Sequence, residues 1–399
     1  MFIVPSCYSV TRRTATHERG AGSMSHFVKQ MFARYEEGDS VRTAPWHYSE
    51  TGADGRTTLV TPEMEAEWAA QGLSERDQFM HLSGHDFTVI EKPLLVCDDS
   101  DLFAVAEGDE ESAGTITRSG FGTFIPGVKA LVREDTGEVF NTVGAGYEVF
   151  QNSQLWDLVE AILEQPNVSW ETGGTLKDGK VVWVLASVDE AFTIKGDDSD
   201  MLPFIVATAS HDGTVGISVR NSNIRVVCWN TLDASAGESK ATGREFTFRH
   251  TKNLGDRIET AKLVIAGSKN TTLRFRELAE DLAEVPFGEV AWARFVDEFI
   301  PEPAGMVVTD RVKGNIEEAR AKVRSILASE SVPEAHKFTG YGALQTGIEY
   351  LDHLRGWRNR STYLGRTLIK PEPLKDALVP LIRECSEYEA ANKAVSVPV

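Results

Sequence analysis

The chain has 399 residues, is 41% hydrophobic and carries a formal charge of −19. Such a length and apolar content suit a buried core in one large domain or two, and exclude a fibrous or wholly disordered protein. A chain this acidic is not coated with basic residues, which excludes indiscriminate duplex binding as its main business.

The four cysteines, Cys7, Cys97, Cys228 and Cys385, lie far apart and form no CxxC or Cys/His cluster. Neither a zinc site, a disulfide framework nor a cofactor is predicted, and a reducing cytoplasm is the expected compartment. No apolar run approaches the roughly 20 residues that a membrane span needs. The segment 1–5 is too short for a signal-peptide core, so no membrane partner is expected.

Residues 1–23 are polar and without periodicity, and read as a disordered extension or as sequence upstream of a second start at Met24. Residues 24–140 form a mixed region with a short helix at 63–68 and an apolar strand at 93–97. Its acidic runs at 98–101 and 109–111 have the composition of solvated loops and also of divalent-cation ligands. Residues 141–285 read as a central α+β domain. A strand at 146–150 leads to a helix capped by Asn152 or Ser153, whose Leu155, Trp156, Val159, Ile162 and Leu163 recur at helical spacing before Pro166. Strands at 168–176 and 181–186 turn at 177–180. Gly173-Gly174 lacks the lysine and the strand-to-helix context of a phosphate loop, so a bulge or turn is the expected role. A loop at 197–200 follows.

The stretch 204–231 predicts a three-stranded antiparallel meander. Asp212-Gly213 signals a tight hairpin, because a type I′ turn needs positive φ at both central positions. Arg220-Asn221-Ser222-Asn223 reads as the second turn. With side chains alternating, Val215, Ile217 and Val219 share one face with Ile224, Val226 and Cys228, and the other collects Ser218, Arg220, Arg225, Val227 and Trp229. Two guanidiniums and an indole flanked by Asn221, Asn223 and Asn230 suit a surface that grips a polyanion; an ordinary wet sheet face has the same composition. Between His211 and Arg276 eleven basic residues stand against six acidic ones, a local balance of +5. Arg249, His250, Lys252 and Arg257 extend the candidate nucleic-acid-binding set. Residues 233–243 read as a loop and 246–249 as one more strand. A long helix is predicted from Leu254, since Ile258, Ala261, Ile265, Ser268, Thr272, Phe275, Ala279 and Leu282 step by three and four until Pro286.

Residues 286–399 read as a helical C-terminal region, with helices at 289–299, 315–327, 341–355 and 374–389 separated by prolines. The predicted fold class is α+β, a central antiparallel sheet backed by a long helix, with a mainly helical C-terminal region suited to self-assembly.

Two constellations invite chemistry. His211 beside Asp212 has the residue types of a general base and its partner, but no nucleophile elbow accompanies them. Glu349 and His353 are four apart on a predicted helix, where an intrahelical ion pair is the simpler reading than two metal ligands. Neither a catalytic nor a metal site is predicted.

At Tyr147-Glu148-Val149-Phe150-Gln151-Asn152, Ser210-His211-Asp212-Gly213, Arg225 to Leu232, Arg249-His250-Thr251 and Glu349-Tyr350-Leu351-Asp352-His353 the chain resembles a widespread family of phage- and plasmid-borne proteins whose domain is of unknown function. The resemblance runs over roughly 144–353 and implies residence on a mobile element rather than a reaction. A fold-level similarity to single-strand annealing recombinases of the RecT and Red-beta kind rests on the order of strand, helix, meander and long helix alone. The function expected is therefore non-catalytic binding of single-stranded DNA in recombination or replication, with a homo-oligomer or a host protein as further partners. A metal-dependent nuclease using the acidic runs, and a factor that modulates host defence or replication, are the alternatives.

Overall fold

The computed structural model describes residues 62–96, 123–163, 168–188, 190–225, 230–231, 245–248, 268–305, 308–356, 365–369 and 373–395. The fold is α+β, built from antiparallel sheets and a mostly helical C-terminal region.

Helices α1 (Pro62–Gln71) and α2 (Glu75–Leu82) precede three antiparallel strands, β1 (Val89–Val96), β2 (Thr123–Arg133) and β3 (Val139–Gly144). Ser74 begins α2, its hydroxyl oxygen accepting the Asp77 N–H at 3.1 Å and so satisfying one donor that the first turn leaves orphaned. The start of the β1 edge is closed by a side chain: Gln151 accepts from the Val89 N–H (3.1 Å) and donates to the Val89 carbonyl (2.8 Å), as a neighbouring strand would. Residues 146–150, expected as a strand, are irregular, and the strand of this region is β3.

Helix α3 (Asn152–Leu163) leads into β4 (Val168–Leu176) and β5 (Val181–Val188), which turn at residues 177–180 with φ of 54° at Lys177 and 60° at Asp178. Then come β6 (Phe192–Ile194), β7 (Asp197–Ser210), β8 (Ile217–Arg225), β9 (Asn230–Thr231) and β10 (Glu245–Phe248). Among the described residues these strands form one sheet in the order β10-β8-β7-β5-β4, with β6 on β7 and β9 on β8. The expected second turn at 220–223 is instead the middle of β8. β7 runs 14 residues, and its ladder pairs every residue from Ser218 to Arg225, so cross-strand bonding overrides the turn preference of Asn and Ser. The first turn is a wider loop at 211–216 rather than a two-residue type I′ turn, and residues 197–200 begin β7 instead of forming a loop.

Both faces of this sheet are covered, which is why β5 reads VVWVLASV without polar alternation. On one face Val182, Val184, Ile205, Ala207 and Val219 pack against Leu155, Trp156 and Val159 of α3 and against Trp68, Phe79, Phe87 and Phe140 from the N-terminal elements. The other face buries Leu176, Val181, Trp183, Leu185, Phe204, Val206 and Ile224 beneath Ile369.

The C-terminal helices α4 (Ser268–Glu284), α5 (Glu289–Phe299), α6 (Asp310–Leu327), α7 (Gly340–Glu349) and α8 (Leu374–Val395) share a core that Ile194 and Met201 of the sheet enter. The predicted long helix is described from Ser268 onward; 254–267 lies outside the described residues. Polar contacts join this bundle to the β6–β7 hairpin: the Tyr341 hydroxyl donates to buried Asp197 (2.9 Å), and His336 Nε2 meets the Lys195 carbonyl (2.9 Å). α7 continues into a π-helical turn at Tyr350–Leu354, where Asp352 forms a 2.7 Å ion pair with Lys375; both side chains are 1% exposed.

Helix α5 lacks a side-chain cap of its own at Gly288, and Glu389 of α8 supplies one by accepting the Gly288 N–H at 2.6 Å. A Cβ at 288 would lie 2.2 Å from the other carboxylate oxygen, Oε1, and 2.9 Å from Oε2, so any larger residue there would push the capping carboxylate aside. Burial raises the Glu389 pKa, but Lys393 and the N–H groups of Gly288 and Ala291 outweigh it and hold the carboxyl below its usual range. Glu389→Ala is expected to cost about 2 kcal/mol, the scale of a charge-assisted bond plus a helix cap, read as a lower urea midpoint with an unchanged m-value.

Candidate functional site

Of the residues predicted to grip nucleic acid, the three whose side chains are described are buried in the sheet. Arg220 is 4% exposed, Asn221 7% and Asn223 4%. Arg220 pairs across the sheet with Val206, on the face of Trp183 and Phe204, whereas Asn221 pairs with Ile205 and belongs to the opposite face. Asn223 accepts a 3.4 Å bond from the Thr272 hydroxyl of α4, which ties β8 to the helix behind it. Arg225 and Asn230 are backbone partners in the β8–β9 ladder. Trp229, Arg249, His250, Lys252 and Arg257 lie outside the described residues.

The loop after β7 reaches a buried polar network that periodicity does not signal. His211 is 1% exposed, and its Nε2 lies 2.9 Å from Asn152 Oδ1, not against Asp212. The Asn152 amide nitrogen donates to the carbonyls of His85 (3.0 Å) and Phe87 (3.2 Å), which leaves Oδ1 as acceptor and makes His211 Nε2 the donor. Trp156 Nε1–H donates to His85 Nδ1 at 3.0 Å. An indole N–H only donates, so His85 Nδ1 is unprotonated, and the proton sits on Nε2, which donates to the Gly174 carbonyl at 2.7 Å. Burial pushes the His85 pKa down to about 4, consistent with this neutral tautomer. The sequence points to Asn152 or Ser153 as the cap of α3; Gln151 takes that place, its N–H held by Gln154 Oε1 at 2.8 Å. Asn152 is thereby released to join the segment between α2 and β1, helix α3 and the β7–β8 loop.

Asp212 binds Thr214 and Lys177 rather than an imidazole. Burial raises its pKa, while the bonds from Thr214 and Lys177 more than offset this and hold it low. This rules out the His211–Asp212 dyad as drawn, because each member is committed to a structural partner. The acidic runs at 98–101 and 109–111 lie outside the described residues, and among the described residues no group of three or more His, Cys, Asp or Glu is placed to hold a metal. Glu349 and Asp352 are each 1% exposed on the packed side of the C-terminal bundle.

The polar groups around His85 and His211 are held by hydrogen bonds that tie neighbouring elements together. A family model described as a domain of unknown function, DUF932, matches residues 139–368, more than half of the chain. The chain belongs to the DUF932 family. The DUF932 match runs from β3 through α7 and its π-helical turn, and includes the His211–Asn152 contact but not His85 or α8. No curated protein and no solved structure matches the chain.

Proposed function

We propose that this DUF932 protein binds single-stranded DNA without catalysing a reaction and serves recombination or replication of a mobile element. The observation that supports the reading is a concentration of charge. Residues 249–276 hold seven Lys or Arg and two Asp or Glu in a chain whose net charge is −19. That stretch links β10, paired with β8 at the margin of the sheet, to α4, on which Arg274 and Arg276 are exposed. Basic groups in this stretch, with Trp229 upstream of them in the sequence, suit a strand whose bases are already unpaired, because stacking adds about 1–3 kcal/mol per base only where a base is free.

Fluorescence anisotropy with labelled single-stranded and duplex DNA at two salt concentrations tests it. Single strands are expected to bind more tightly, each phosphate contact adding about −0.7 to the slope of log affinity against log salt. R249A/K252A/R257A is expected to flatten that slope and W229A to weaken binding at nearly constant slope. Undetectable, salt-insensitive or duplex-equal binding would remove the proposal. A second reading, a protein-interaction factor, is favoured by exposed Leu95, Val96, Phe124, Ile125 and Val128 on β1 and β2, where Leu95 and Phe124 are cross-strand partners.

A further inference from the structure

We infer that the cleft between α1, α2 and the start of β1 is a binding site for an organic cation, an ammonium or guanidinium group on a short apolar stem. The cleft has a volume of about 640 Å3, within the range of small-ligand sites. Trp68, Leu73, Met80 and Phe87 supply apolar lining, and the charged groups facing it are Glu67, Asp77 and Asp86. The cavity makes this a site; the carboxylates give it its sign.

Among the described residues no Lys or Arg lines the cleft. Gln71 donates to Glu67 (3.1 Å), the Ser74 hydroxyl to Asp77 (2.6 Å), and His81 Nδ1 lies 2.9 Å from Asp86. Two of these partners are neutral, and the third is an imidazole whose side chain is 57% exposed. The nearby Arg76 is engaged elsewhere, bridging Asp157 (2.7 Å) and Glu160 (2.9 Å) and donating to the Ser153 carbonyl. Of the remaining polar lining, His85, Gln151 and Asn152 are committed to hydrogen bonds within the fold and fix the wall. Three carboxylates with no full positive charge among the described lining residues, over an apolar wall, are complementary to a cation with a hydrocarbon body and hostile to an anion. The same group arrives on a free amine or on a Lys or Arg side chain of a peptide.

Saturation-transfer NMR on the full chain, with n-butylammonium, n-butylguanidinium and a blocked Gly-Arg-Gly peptide, tests this; butyrate and butyramide are the size-matched anion and neutral controls. Either cation or the peptide is expected to bind and the controls not to, and the tighter of free cation and peptide identifies the source. E67Q/D86N is expected to weaken binding by about tenfold, as is raising the salt well above physiological strength. Absence of binding by all three cations, equal binding of butyrate, or undiminished binding to folded E67Q/D86N would overturn the inference. Should that variant not fold, D77N and the cation-to-butyramide ratio on the unaltered chain decide. The outcome is independent of DNA binding, which involves no residue of this cleft.

Discussion

Lys375→Met is expected to destabilise the protein by about 3–5 kcal/mol, because it leaves the Asp352 carboxylate buried without its ammonium partner. Each side chain is only 1% exposed, so water does not replace the lost partner. The pair's net worth is a different quantity. Desolvating both charges offsets most of their attraction, so K375M/D352L is expected to recover much of the loss. Urea unfolding of the single and double variants separates the two effects as a coupling energy. A single variant within about 1 kcal/mol of the parent would show that the ammonium reaches solvent in the native state and that the pair is not buried.

The second large effect is an acid destabilisation centred on His85. Its folded pKa, lowered by burial to about 4, lies below the ordinary value of 6.5. Above pH 6.5 both folded and unfolded states carry a neutral ring and the group has no pH effect. Between about 6.5 and 4 the unfolded chain binds a proton that the native state refuses, so stability falls as pH falls. The full difference amounts to about 3 kcal/mol, at roughly 1.4 kcal/mol per pH unit. Asp212 and Glu389, held below ordinary values of 3.8 and 4.5, lose their contributions only as the pH falls through those ordinary values, so neither shapes the profile between pH 7 and 5. Urea midpoints between pH 7 and 5 are expected to decline in the parent and to be flatter in His85→Gln. A flat parent profile would mean that His85 is hydrated in the folded state.

Periodicity made the helices legible. The repeat at Phe275, Ala279 and Leu282 marks α4, the segment 289–299 coincides with α5, and α6 begins at Asp310, five residues ahead of the expected 315, because Thr309 caps it. The strands β4 and β5 were equally plain, because apolar runs flank a turn of Lys, Asp and Gly. What misled was local chemistry at Arg220 to Asn223. Those residues favour a turn in isolation, but they lie opposite Phe204, Ile205 and Val206 on a partner strand whose length no local window reveals. His85 was illegible for a related reason. Its importance comes from Trp156, Asn152 and Gly174, which are 67 to 89 residues away along the chain.

The core around Trp156 shows that kinship and folding draw different borders in this protein. The DUF932 match begins at 139, yet Trp68, Phe79, Phe87, Val89 and Leu131 all lie upstream and pack into the same cluster. It ends at 368, before Leu378, Val379, Ile382 and Cys385 of α8 close the helical core. A fragment cut at those two borders would face water with both of its largest apolar surfaces. In this chain the matched region is therefore not a portable module: moved elsewhere, it has to travel with the flanks that cover it.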